Sequence, residues 1–195
     1  MKRIIFIIIL IFSLQSLSKA DDISDFQIEG MSIGDSLLDY FSEGEIKKYT
    51  VKMFAADEYI TIQFPGSFLN STNYDVIEIN YKKNNTNLVI ANVSGVKFYE
   101  KINQCYNKQD EILGQIKELF TNVNDLKIID KYIDIHGADQ SGKSTYTRGS
   151  FKFASGDKIS IDCNNFSKAM NTSHQLYVSI DSKEFDEFLD SGRAY

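Results

Sequence analysis

Residues 143–166, KSTYTRGSFKFASGDKISIDCNNF, leave little choice of secondary structure. Phe151 and Phe153 alternate with Ser150, Lys152 and Ala154, and Ile159, Ile161 and Cys163 alternate with Lys158, Ser160 and Asp162. Period-two alternation places the two sets on opposite faces of a sheet. Ser155-Gly156-Asp157 lies between the runs, and Gly156 can supply the positive φ that a short hairpin loop needs. The spacing predicts an antiparallel hairpin with Cys163 pointing inward.

The other cysteine, Cys105, lies in a stretch with helical spacing. Ile102, Cys105, Tyr106, Gln109, Ile112, Leu113, Ile116, Leu119 and Phe120 fall on one face of a predicted helix over residues 101–120. Two inward cysteines can meet where that helix lies on the sheet, and a Cys105–Cys163 disulfide is expected. It closes a loop of about 58 residues, worth roughly 3–4 kcal/mol in the chain-entropy model. The expected core around it is Ile112, Ile116, Phe120, Phe151, Phe153, Ile159 and Ile161.

The N-terminus sets the compartment. Lys2 and Arg3 precede an apolar run from Ile4 to Phe12, and Ser18-Lys19-Ala20 follows as a small-x-small cleavage site. The run is too short to span a bilayer, which takes roughly 20 residues. Residues 1–20 read as a signal peptide and residues 21–195 as a single α+β domain in the periplasm or secreted, with no transmembrane segment after cleavage. Export also supplies the oxidant for the disulfide. The leader holds Lys2, Arg3 and Lys19 and no acid, so the remaining chain has 18 basic against 27 acidic residues and a net charge of −9. That balance disfavours nucleic acid as a partner.

Along the chain, Leu37, Leu38 and Phe41 share one side of a short helix, and Ser42 to Glu45 is a capping-box pattern before Ile46 and Tyr49. Strand signals follow at 49–54, 58–64, 74–81 and 88–99, the last with Gly95 as a candidate bulge. Beyond the long helix come strands at 131–136, the hairpin and 175–180. Asp181-Ser182 caps a C-terminal helix carrying Phe185, Phe188 and Leu189. Its Asp186, Glu187 and Asp190 read as a solvated face. Strands in runs favour an α+β fold: antiparallel sheet(s), one long helix packed on a face, short helices near both ends.

One motif suggests a nucleotide. Gly137-Ala-Asp-Gln-Ser-Gly142-Lys143-Ser144 fits the phosphate-loop pattern at every defined position. A phosphate loop must open a helix so that the helix N-terminus faces the phosphates. Here Thr145-Tyr-Thr-Arg-Gly149 leads into strand alternation, so the match reads as a chance one in a loop between strands. His136 and His174 are the two histidines; with Asp134 and Asp139 near the first they suggest a metal site, but they lack ligand spacing. No Gly-x-Ser-x-Gly elbow occurs. No catalytic, metal or cofactor residue is assigned, and no cofactor is expected.

Three segments, DFQIEGMSIGDSLLDYFSEGEIKK at 25–48, SFKFASGDKISIDCNNFSKA at 150–169 and YVSIDSKEFDEFL at 177–189, resemble small exported proteins of Pelagibacter-type marine alphaproteobacteria. The resemblance implies an extracytoplasmic compartment and no mechanism. Gly30-Met-Ser32 before a short helix is also similar to the opening of outer-membrane assembly lipoproteins of the BamE and SmpA type, without their lipid-anchor cysteine. The expected function is a non-catalytic periplasmic binding or envelope-associated module for a protein or small-molecule partner. The alternative is a small periplasmic hydrolase using carboxylates, His136 or His174.

Overall fold

The alternation along the chain resolves into one sheet. The computed structural model describes residues 23–137 and 139–194, so the leader expected at 1–20 lies outside the described residues. The strands are β1 Thr50–Val51, β2 Tyr59–Pro65, β3 Val76–Lys82, β4 Ile90–Tyr99, β5 Lys127–Ile135, β6 Thr145–Lys152, β7 Lys158–Asn165 and β8 His174–Asp181. They form a single sheet in the order β1-β2-β3-β4-β8-β7-β6-β5, every pair antiparallel. Two four-strand meanders therefore meet at β4 and β8. Three α-helices accompany them among the described residues: α1 Glu43–Tyr49, α2 Ile102–Leu119 and α3 Lys183–Asp190.

The topology explains where α2 lies. The chain leaves β4 at the centre and must reach β5 at the far edge, past β8, β7 and β6. That is four strand spacings, about 19 Å, and an 18-residue helix is about 27 Å long. Cys105 near its start is bonded to Cys163 of β7, with Cα atoms 5.9 Å apart. One turn on, buried Gln109 donates from Nε2 to the carbonyls of Thr147 (2.8 Å) and Ile161 (2.7 Å), and its Oε1 accepts from Thr147 Oγ1 (3.0 Å). Gly149 on β6 lies beneath Leu113, where an added Cβ would be 2.9 Å from both leucine methyls.

The expectation of one long helix as the layer over the sheet is corrected here. The sheet dominates: eight strands are about 34 Å wide, and a helix about 10 Å across covers only part of that. The rest of the apolar face is buried by the chain before β1, through Ile23, Ile28, Met31, Leu37, Phe41 and Ile46. Of the core expected around the disulfide, Ile116, Phe120, Phe151, Phe153, Ile159 and Ile161 are buried, and Ile112 is partly buried against them.

Local differences have physical reasons. The strand expected at 49–54 shrinks to the two residues of β1, because Ser42 and Glu45 form a complete capping box and α1 holds the chain helical through Tyr49. Gly95 is not a bulge. The ring of Tyr74 lies over it, 2.4 Å from where a Cβ would stand, and the register break is instead between Asn80 and Tyr81. β5 starts at Lys127 rather than 131, with its own register break between Ile129 and Tyr132.

Candidate binding surface

The P-loop-like segment is a closed loop between β5 and β6, with no helix after it. Asp139 fills the position an anion would take. Its carboxylate accepts from Ser141 N (2.9 Å), Ser144 N (3.0 Å), Ser144 Oγ (2.6 Å) and Ser167 Oγ (2.8 Å). Ser144, at the position whose hydroxyl holds magnesium in a true phosphate loop, is buried and also accepts from Ser167 N (2.9 Å). Gly142 turns the chain with φ +68° and donates to the Asp139 carbonyl (2.9 Å). Gly137 and Lys143 are exposed on the rim. The amides that wrap phosphate in a true phosphate loop are thus spent on the chain's own carboxylate.

These bonds, Ser144's foremost, hold the Asp139 carboxyl well below its ordinary range. A depressed folded-state pKa gives stability that is present above the unfolded value and lost as pH falls through the folded one. We expect Asp139→Asn to lower the melting temperature and to remove that acid-side loss. Magnesium and ATP are expected to leave the wild-type melting temperature unchanged, since a ligand stabilises only by binding the native state. A rise abolished by Lys143→Ala would contradict the closed-loop account.

The histidines do not converge. His136 follows β5 and packs on the Phe166 ring with centroids 4.9 Å apart; burial lowers its pKa. His174 opens β8, with β6 and β7 between them, so strand spacing alone separates the two by about 14 Å. His174 lines a wide groove of about 820 Å³ with Glu100, Lys168, Thr172 and Ser173. Among the described residues no group of three or more histidine, cysteine, aspartate or glutamate side chains is arranged to hold a metal.

The face opposite the isoleucines is polar. Strand register aligns Thr61, Asn80, Asn92, Asp181 and Lys158 in one row and Gln63, Glu78, Ser94, Ser179, Ser160 and Ser150 in the next. Thr61 donates to Asn80 (2.6 Å), Asn80 to Asn92 (2.7 Å) and Asn92 to Asp181 (2.6 Å). Asp186 of α3 is buried and paired with Lys158 and Lys152, which corrects the solvated position expected for it, whereas Glu187 and Asp190 are exposed as expected. The sequence periodicity did place Asp186 on α3, but not the two lysines across from it.

Two carboxyls in this polar face are perturbed upward. Burial raises Glu78, with the Gln63 and Asn80 hydrogen bonds pulling it part of the way back. Burial also raises Asp181, opposed by the charge of Lys158 and the Asn92 bond. Here the sign is the reverse of Asp139: the native state holds protons that the unfolded chain has released, so stability falls as pH rises above the ordinary carboxylate range. Glu78→Gln is expected to flatten that slope and raise stability at pH 8 relative to pH 5, read from denaturant midpoints. An unchanged slope would show that Glu78 ionises normally.

The surface most suited to a partner lies at the β2 end of the sheet. Ser36 caps the 3-10 turn Leu37–Asp39, which buries Leu37 and leaves Leu38 44% and Tyr40 41% exposed. The Tyr40 hydroxyl donates to Asp35 (2.7 Å), and that bond, with burial and two nearby carboxylates, pushes its pKa up to about 12. A second 3-10 turn, Gly66–Leu69, presents Phe68, 37% exposed. Gly66 is obligatory there: a Cβ would stand 2.0 Å from the Tyr74 carbonyl oxygen. Behind these residues the rings interlock, with Phe41–Phe64 centroids 4.2 Å apart, Phe64–Phe68 5.1 Å, Tyr49–Phe68 5.1 Å and Tyr40–Phe41 6.3 Å.

Exposed aromatics on a rigid, buried backing have the composition of interface anchors. Sequence reasoning grouped Leu37, Leu38 and Phe41 on one side of a helix; the tighter 3-10 turn sends Leu38 outward instead. It passed over Phe68, whose only signal was Pro65-Gly66 ahead of it. No protein-family model and no curated protein matches the chain.

Proposed function

We propose that this is a non-catalytic binding module of an oxidising extracytoplasmic compartment, and that it holds a protein partner at the aromatic corner of Leu38, Tyr40 and Phe68. The observation that carries this reading is the ring cluster that runs unbroken from buried Phe64 to solvent at Phe68. Such a cluster offers large contact area at low side-chain entropy cost. The Cys105–Cys163 bond fits an oxidising compartment. The signal-peptide pattern at 1–20 and the resemblance to small exported proteins support export. No helix among the described residues is long and apolar enough to cross a membrane.

The test is site-specific photo-crosslinking in cells that express the full chain. A photoreactive phenylalanine at position 68 is expected to give a discrete adduct that excess unlabelled protein competes away. Leu38→Asp is expected to abolish it, and the same probe at Lys143 is expected to give none. Equal adducts from both positions, or none from position 68, would overturn the reading. The second reading, a small hydrolase, rests on His174 in its groove; hydrolysis of model esters that disappears with His174→Ala would favour it.

A further inference from the structure

Strand β5 ends the sheet, and its outer edge pairs with no further strand among the described residues; the Ile135 amide donates to the Asp134 carboxylate beside it (2.7 Å). Edge strands are ordinarily blunted by charge, proline or brevity. This one is nine residues long and carries four large exposed apolar side chains: Ile128 (43%), Tyr132 (41%), Ile133 (69%) and Ile135 (59%). Four charged residues, Lys127 ahead of them and Asp130, Lys131 and Asp134 among them, sum to zero. The pattern from Leu126 to Ile135 is complementary to its own reverse. Read antiparallel against itself about a centre between Asp130 and Lys131, it sets Asp130 against Lys131, Ile129 against Tyr132, Ile128 against Ile133, Lys127 against Asp134 and Leu126 against Ile135.

In a regular strand that register is impossible. A two-fold axis perpendicular to a sheet keeps each residue on its own face, and directly opposed residues must share a face. Ile128 and Ile133 are an odd number of positions apart, so in a regular strand they point to opposite faces. The register break removes the obstacle. Ile128 pairs with Phe151, Ile129 with Ser150, Tyr132 with Arg148 and Ile133 with Thr147. Asp130 and Lys131 together stand opposite Gly149 alone, as in a β-bulge. Phe151 and Thr147 share a face, so Ile128 and Ile133 do too, and the same holds for Ile129 and Tyr132. The bulge lies at the centre of the complementary pattern, where the axis would pass.

We infer that β5 is the contact by which two copies of this chain associate, antiparallel and edge to edge, joining their sheets about a two-fold axis between Asp130 and Lys131. Shifting the register by one residue sets Lys131 on Lys131 and charged residues on isoleucines, so charge selects a single alignment. Lys131 already holds Asp110 of α2 (2.5 Å), and its ammonium has donors left for Asp130 of the second copy. A contact between two single strands is small, so the dimer is expected to form at roughly micromolar concentration. This surface is separate from the aromatic corner, and either can fail without the other.

The test is analytical ultracentrifugation of the oxidised protein across a concentration series. The wild type is expected to pass from monomer to dimer. Lys127→Asp and Asp134→Lys, each at an exposed position, are each expected to weaken the dimer roughly tenfold or more by opposing like charges. The double variant is expected to restore it. Positions 127 and 134 are about 23 Å apart along one strand, so rescue reports a contact between copies and not one within a chain. Ile133→Lys is expected to leave the melting temperature unchanged and the protein monomeric. A wild type that stays monomeric at every concentration, or a dimer indifferent to the single charge reversals or not restored by the double, would overturn the inference.

Discussion

Serine in place of Cys105 or Cys163 is expected to lower the free energy of unfolding by about 2–5 kcal/mol. Two causes add. The bond closes a sequence separation of 58 residues, so its loss frees a large part of the unfolded chain. Both cysteines are fully buried, so either serine puts a hydroxyl into the core; at 105 the Gln175 carbonyl, 3.4 Å from Cys105 Sγ, stands near enough to offset part of that cost. The damage should be uneven. α2 is also tied to β6 and β7 through Gln109, so its first turn should lose amide protection before the turn around Ile116. Chemical denaturation of oxidised wild type, reduced wild type and Cys163→Ser measures the first cause against the second. If all three share a midpoint, the bond is not holding α2 to the sheet.

Phe64→Ala is expected to cost about 3–5 kcal/mol and to loosen the proposed partner surface along with the core. Phe64 is fully buried and meets Phe41, Tyr49 and Phe68 at ring separations of 4.2 to 5.1 Å. Truncation leaves a cavity beneath Phe68, so the 3-10 turn that carries it loses its floor. Phe64→Leu keeps most of the volume and should cost less. Thermal melts give the stability change, and the crosslinking yield at position 68 gives the change at the surface. A variant with a lowered melting temperature but an unchanged yield would separate the ring stack from binding.

The readable parts of this fold were those where one physical signal acts alone. Period-two alternation found β6, β7 and β8, helical spacing found α2 with Gln109 on its inner face, and the Ser42–Glu45 pair found α1. Cys105 and Cys163 were legible because two independent periodicities point both inward. β5 was half missed: the strand expected at 131–136 took in Tyr132 and Ile133, but the bulge shifts the alternation by one residue, so Ile128-Ile129 fell outside it. The width of the sheet was not legible either, since no local pattern says that β4 pairs with β8, some 80 residues later.

The candidate surface was harder still. Phe68 and Tyr40 each stand beside Phe41, at ring separations of 6.4 and 6.3 Å, on turns whose geometry depends on distant backbone, such as the Tyr74 carbonyl against Gly66. The buried state of Asp186 likewise depends on Lys158 and Lys152 from the hairpin. Conversely, the strongest motif in the sequence was the least informative. Its defined positions all match, yet they say nothing of Asp139, an undefined position whose carboxylate closes the loop.

The proposed function requires that this chain be exported and work outside the reducing cytoplasm. The measurement that tests it most directly is intact mass after thiol alkylation, on the full 195-residue chain expressed in a Gram-negative host and recovered by osmotic shock. The account predicts protein in the shock fluid with Asp21 as its first residue and no alkylated cysteine. Protein confined to the cytoplasm, beginning at Met1 and alkylated at both Cys105 and Cys163, would contradict it.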